Sequence, residues 1–126
     1  MSARTVLVVD DDDDIRELAR LCLEIFAHWT VLTAADGPSA ILTAQAMQPD
    51  AVLLDMMMPG MDGLTTLQHL RAAESSRDIP VILFTAKSRV GDHQPWDGAP
   101  VSGVIAKPFA AKTLATQVSD LLGWVD

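Results

Sequence analysis

The sequence predicts a doubly wound α/β fold: five parallel strands with helices on both faces. Three observations predict it. Short apolar runs alternate with segments of helical period along all 126 residues. The best runs are continuous rather than alternating, as in strands buried on both faces. Four of the five runs stop at a polar residue. Alternating strands and helices imply a parallel sheet with right-handed crossovers.

Val6-Leu7-Val8-Val9 is the first strand and stops at acid. Ile15, Leu18, Ala19, Leu21, Cys22, Ile25 and Phe26 then recur at helical spacing. Asp12 suits the N-cap of that helix, and Asp13 and Asp14 suit its first turn, where the helix dipole favours negative charge. A second strand is expected near Trp29 to Ala34. Asp36-Gly37-Pro38-Ser39 opens a second helix, with Pro38 near its first position. Ala40, Ile41, Ala44 and Met47 form its apolar stripe.

Ala51-Val52-Leu53-Leu54 is the third strand and stops at Asp55. Met56 to Gly63 reads as a loop, with turn signals at Pro59-Gly60 and Asp62-Gly63. Leu64, Leu67, Leu70 and Arg71 continue as the third helix, and His69 belongs on it. Ile79 to Phe84 is the fourth strand and stops at Thr85. Pro95 and Pro100 interrupt residues 86–101, so a fourth helix there is expected to be short or irregular. Gly103-Val104-Ile105-Ala106 is the fifth strand and stops at Lys107. Ala110 to Leu122 is expected to be the fifth helix, with Leu114, Val118, Leu121 and Leu122 facing inward. The chain ends about one turn later, so residues 1–126 are expected to form one domain.

Composition narrows the function. The chain is 49% hydrophobic and carries a net charge of −8. That balance opposes nucleic-acid binding, which needs basic patches. The single cysteine, Cys22, excludes an intrachain disulfide and fits a reducing compartment. The N-terminus lacks the apolar run of a signal peptide, and no stretch is long and apolar enough to span a membrane. A cytoplasmic protein with no membrane or nucleic-acid partner is expected.

The chemistry lies at the strand ends. Open parallel sheets bind ligands beyond the carboxyl ends of their strands, where strand order reverses. With the order 2-1-3-4-5, a flavodoxin-like arrangement, Asp10, Asp11 and Asp55 converge. Three carboxylates in one cleft repel, and a hard divalent cation relieves them; magnesium fits best, with manganese as the alternative. A carboxylate beside such a cation can attack a phosphoryl group and become an acyl phosphate. The transferred group then needs positive charge and donors. Lys107 and the Thr85 hydroxyl stand at the ends of the neighbouring strands to supply them.

The bland alternatives are weaker for the strand-end residues than for their neighbours. Asp12, Asp13 and Asp14 read as a solvated helix start. The run Met56-Met57-Met58 reads as loop packing, since soft thioethers select soft metals. His28, His69 and His93 are scattered and suggest no zinc site. Trp29, Trp96 and Trp124 lack the interleaved basic residues of a base-stacking surface.

In order and spacing these residues resemble the receiver domains of two-component response regulators, most like the single-domain chemotaxis type. The resemblance rests on Val9-Asp10-Asp11, Leu54-Asp55, Met58-Pro59-Gly60-Met61-Asp62-Gly63, Thr85-Ala86 and Lys107-Pro108-Phe109. It implies that Asp55 takes a phosphoryl group from a histidine kinase or phosphotransfer protein, switching contacts with a downstream protein target. It implies that Asp11, Asp55 and the backbone carbonyl of Met57 bind magnesium, with Asp10 holding a metal water. It also implies a cis peptide at Lys107-Pro108.

Two features depart from the family. The position three residues before the strand-five lysine, often Tyr or Phe, is Val104, so no aromatic switch can operate there. The irregular fourth helix alters a usual partner surface. A signal is therefore expected to travel by backbone shifts after Thr85. Competing readings are a degenerate receiver that only binds proteins, and an aspartyl-phosphate phosphatase. The phosphatase normally has a second acid two residues after its nucleophile, where this chain has Met57. A flavin-binding flavodoxin is weaker still, for want of a Ser/Thr/Gly-rich phosphate loop after strand one.

Overall fold

In the computed structural model, residues 4–85, 98 and 100–124 are described. Five strands, β1 (Thr5–Val9), β2 (Thr30–Ala34), β3 (Ala51–Asp55), β4 (Val81–Thr85) and β5 (Gly103–Ala106), form one sheet. Its order is β2-β1-β3-β4-β5, and every neighbouring pair is parallel. The order reverses between β1 and β3, which opens the cleft expected there.

The described residues contain four helices: α1 (Asp13–Ala27), α2 (Gly37–Met47), α3 (Gly63–Ala72) and α4 (Leu114–Leu122). The segment expected to hold a short or irregular helix between β4 and β5 lies largely outside the described residues. The helix expected from Ala110 begins instead at Leu114. The amides of Thr113 and Leu114 both donate to the Ala110 carbonyl, so a separate turn precedes it. The fourth strand also starts later than the apolar run. Pro80 has no N–H to give a sheet, although its carbonyl accepts from Val52.

Strand alternation divides the core in two. Leu7, Val9, Val52, Leu54, Val81 and Leu83 face α2 and α3, meeting Ala40, Ala44, Leu67 and Leu70. Val6, Val8, Leu53, Ile82, Phe84 and Ile105 face α1 and α4, meeting Ala19, Cys22, Leu23, Leu114 and Val118. The inward side of α1 is thus narrower than its apolar content suggests: Leu18, Leu21, Ile25 and Phe26 are exposed. Leu121, expected to face inward, is partly exposed and lies over Gly103, where an added Cβ would come within 2.5 Å of its side chain.

Caps fix where the helices begin. Asp12 accepts from the amides of Asp14 and Ile15, Asp36 from Ser39, and Asp62 from Thr65. Each satisfies amides that the first helical turn leaves open. Because α1 and α3 start just past β1 and β3, these caps also set the loops that carry the site.

Candidate functional site at the carboxyl edge of the sheet

Asp10 follows β1 directly and is fully buried. Its Oδ1 accepts from the Asp12 amide at 2.9 Å, and its Oδ2 from Lys107 Nζ at 2.6 Å. Its own amide donates to the Ala34 carbonyl. Asp55 is the last residue of β3 and is 3% exposed. Its Oδ1 accepts from the Met57 amide at 3.2 Å and lies 3.2 Å from Lys107 Nζ. Lys107 thus bridges two buried carboxylates from a position just past β5. Its backbone amide donates to the Thr85 carbonyl at 2.8 Å, and its bond to Pro108 is cis, as the resemblance implied.

Electrostatics follow from this burial. Burial raises the Asp55 pKa from near 3.8 to about 6. The Met57 amide opposes that rise, the Asp10 charge adds to it, and Lys107 opposes it again. For Lys107 burial acts downward, but the hydrogen bond and charge of Asp10, with the charge of Asp55, outweigh it and the net shift is upward. The shorter contact explains the asymmetry: the ammonium belongs chiefly to Asp10, and Asp55 keeps an incompletely neutralised charge.

The structure brings together most of the residues singled out from the sequence. Carboxylate oxygens of Asp10, Asp11 and Asp55 lie within 4.8 Å of one another. Asp11 is exposed while the other two are buried, so the cluster opens to solvent on one side. Such an all-oxygen set at the cleft suits a hard cation. Thr85 is buried at the end of β4, on the strand next to Asp55. Met57 stands beside Asp55 through its amide, and its side chain points to solvent. Val104 is partly buried in β5, paired in register with Leu83.

Three further residues support the site; sequence reasoning passed over the first and named the other two only within motifs. Arg16, one turn into α1, donates Nη1 to the Asp10 carbonyl at 2.7 Å and pairs with Asp13. The signal was available: a lone Arg at helical reach of an acidic run. Gly63 opens α3 so close to β3 that an added Cβ would lie 2.5 Å from the Asp55 carbonyl oxygen. Phe109 stacks on Phe84 with centroids 5.5 Å apart, seating the chain just after Lys107-Pro108. The last two carry a mark in the sequence, in Asp62-Gly63 and Lys107-Pro108-Phe109, but the contacts they make depend on tertiary approach. Among the described residues, no buried side-chain nitrogen or oxygen lacks a partner.

Comparison with known proteins agrees with this fold. Residues 6–119 match the model of the response regulator receiver domain. The chain is 38% identical over 118 residues to a probable transcriptional regulatory protein, TcrX, of Mycobacterium tuberculosis, covering 94% of this chain and 49% of that protein. It is 39% identical over 122 residues to the response regulator PleD of Caulobacter vibrioides, covering 96% of this chain and 26% of that protein. It therefore spans about half or less of the length of these relatives. Among solved structures, chemotaxis protein CheY4 of Vibrio cholerae superposes with a TM-score of 0.86 at 28% identity, covering 95% of this chain and 99% of that one. The receiver domain of a sensor histidine kinase from Pseudomonas aeruginosa, which holds a magnesium ion in its active-site cleft, gives 0.85 at 28%, covering 97% and 99%.

Proposed function

The chain belongs to the response regulator receiver family, and we propose that Asp55 is its phosphoacceptor, taking a phosphoryl group from a histidine kinase or phosphotransfer protein. One observation carries the assignment of residues: Lys107 Nζ lies between two buried carboxylates from different strands, 2.6 Å from Asp10 and 3.2 Å from Asp55. A cation held there meets the negative charge that arrives with a phosphoryl group.

The oxygen donors of Asp10, Asp11 and Asp55 fit a divalent cation, with the Met57 carbonyl as a further ligand. Magnesium, or manganese, would neutralise charge on the incoming phosphoryl oxygens. The chain's own groups do the rest. Asp55 Oδ1 is held by the Met57 amide and Lys107, which leaves Oδ2 to attack. A bond forms between Oδ2 and phosphorus as the donor's nitrogen–phosphorus bond breaks, and the donor imidazole keeps the electron pair. Lys107 follows the new charge, and the Thr85 hydroxyl donates to another phosphoryl oxygen. The protein catalyses only this transfer to itself and the later loss of its own phosphoryl group.

Residues 1–126 act as one receiver unit in the cytoplasm, and the phosphorylated form changes its contacts with a downstream protein. Among the described residues no helix is long and apolar enough to cross a membrane, and the net charge of −8 opposes nucleic-acid binding.

Acetyl phosphate with magnesium should add one phosphoryl group by intact mass, and Asp55→Asn should take none while melting cooperatively. Failure of the unaltered protein to label would favour a degenerate receiver that only binds proteins.

A further inference from the structure

Three consecutive methionines follow the acceptor, and the structure treats them differently. Met56 and Met58 are buried at 5% and 7% exposure, while Met57 is 69% exposed. All three line a recess of about 540 Å³ with Pro59, Gly60, Asp62 and Leu64. Met57 is also the residue whose amide donates to Asp55 Oδ1 at 3.2 Å. A soft, oxidisable thioether therefore stands in solvent on the residue that holds the acceptor carboxylate. Met47, 57% exposed on α2, provides a thioether of similar exposure away from the site.

We infer that Met57 is an oxidation site through which hydroperoxides lower the phosphoacceptor capacity of Asp55; this rests on Asp55 being the acceptor. The step balances simply. The sulfur lone pair attacks one peroxide oxygen, a sulfur–oxygen bond forms, and the oxygen–oxygen bond breaks. The thioether loses two electrons to become a sulfoxide; the leaving oxygen takes the proton from the transferred one, so hydrogen peroxide leaves as water and an organic hydroperoxide as its alcohol. Access decides which methionine reacts: Met56 and Met58 are shielded by their packing, and Met57 is not.

The consequence follows from charge. A sulfoxide is polar, chiral and only an acceptor of hydrogen bonds. Its oxygen is the negative end of a strong dipole. It arises on the residue whose amide holds Asp55 Oδ1, next in sequence but one to the carboxylate that a phosphoryl dianion must join. It also draws water to a loop whose inner face is apolar, and so loosens the turn that points the Met57 amide at Asp55.

The test uses the whole chain and hydrogen peroxide. Peptide mapping should find sulfoxide on Met57 and Met47 before Met56 and Met58. Labelling by acetyl phosphate and magnesium, taken as treated over untreated for each protein, should fall at least about threefold in the parent and in Met47→Leu. The ratio should stay near one in Met57→Leu, whatever that variant's own rate. Methionine sulfoxide reductase should restore the parent. Sulfoxide on Met57 with an unchanged ratio overturns the inference alone, as does a Met57 that resists while Met47 oxidises. No labelling of untreated parent protein overturns the acceptor reading and the inference together.

Discussion

Two cations in this protein each stand between two carboxylates. Arg20 on α1 meets Glu17 through Nη2 and Glu24 through Nη1, the latter at 2.6 Å. Lys107 meets Asp10 and Asp55. The pairings look alike on paper, but their surroundings differ. Arg20 and its partners lie on the solvent face of one helix, three and four residues apart, where water and salt screen them. Their shifts are those of simple partners: a hydrogen bond from Arg20 lowers Glu17, and the same bond raises Arg20. Lys107 is 16% exposed, and its partners come from β1 and β3, so the sheet must form before the triad exists. There burial overrides pairing and drives Asp55 upward rather than downward. Ion pairing marks a functional site when one charge is left only partly compensated.

The largest effect expected from breaking the contrast is on labelling. Lys107→Ala should slow phosphorylation of Asp55 by about a hundredfold, because one preorganised positive donor at a developing charge is worth roughly that much. Time-resolved intact mass with acetyl phosphate measures it. A rate within about threefold of the parent would show that the lysine only balances Asp10.

A smaller effect concerns stability of the metal-free protein. Asp55 titrates near 6 when folded against an ordinary value near 3.8, so the folded state favours its protonated form. That contribution is present below about pH 4 and is lost as pH rises through 6. In a chelator, Asp55→Asn should therefore exceed the parent in stability by about 1–3 kcal/mol at pH 7, with the advantage vanishing by about pH 4. Denaturant titrations across that window measure it, and an equal advantage at both ends would contradict it. Magnesium should narrow the gap at pH 7 by binding the ionised parent.

The smallest effect is expected at the exposed pair. Arg20→Ala should leave labelling unchanged and shift the melting temperature by no more than about 1 °C, an effect that added salt erases. A loss of labelling there would erase the distinction between the two triads.

Much of this was legible in the sequence. Continuous apolar runs marked strands buried on both faces, and the acids at the ends of β1 and β3 marked the cleft. Local chemistry placed the cap at Asp12 and marked the turns at Asp36 and Asp62, which the structure shows to be caps as well. The misplaced boundaries have local causes as well. Pro80 cannot donate to the sheet, and the turn at Ala110 uses up the residues that would have begun α4. Leu18, Leu21 and Ile25 show where periodicity misleads: helical spacing gives a stripe, but only contact with the sheet decides which side of it is buried.

The sequence by itself determined which residue types stand at the strand ends and how far apart they are, because strand burial and helix caps are local properties. It determined the acceptor, its acidic neighbours and the lysine as candidates. Only the tertiary structure decided that Lys107 sits nearer Asp10 than Asp55, that burial lifts Asp55 to about 6, and that Met57 alone of three methionines meets solvent. Each of these depends on distances between segments far apart in the chain. Coulomb energy, desolvation and access vary with those distances, and no single segment carries them.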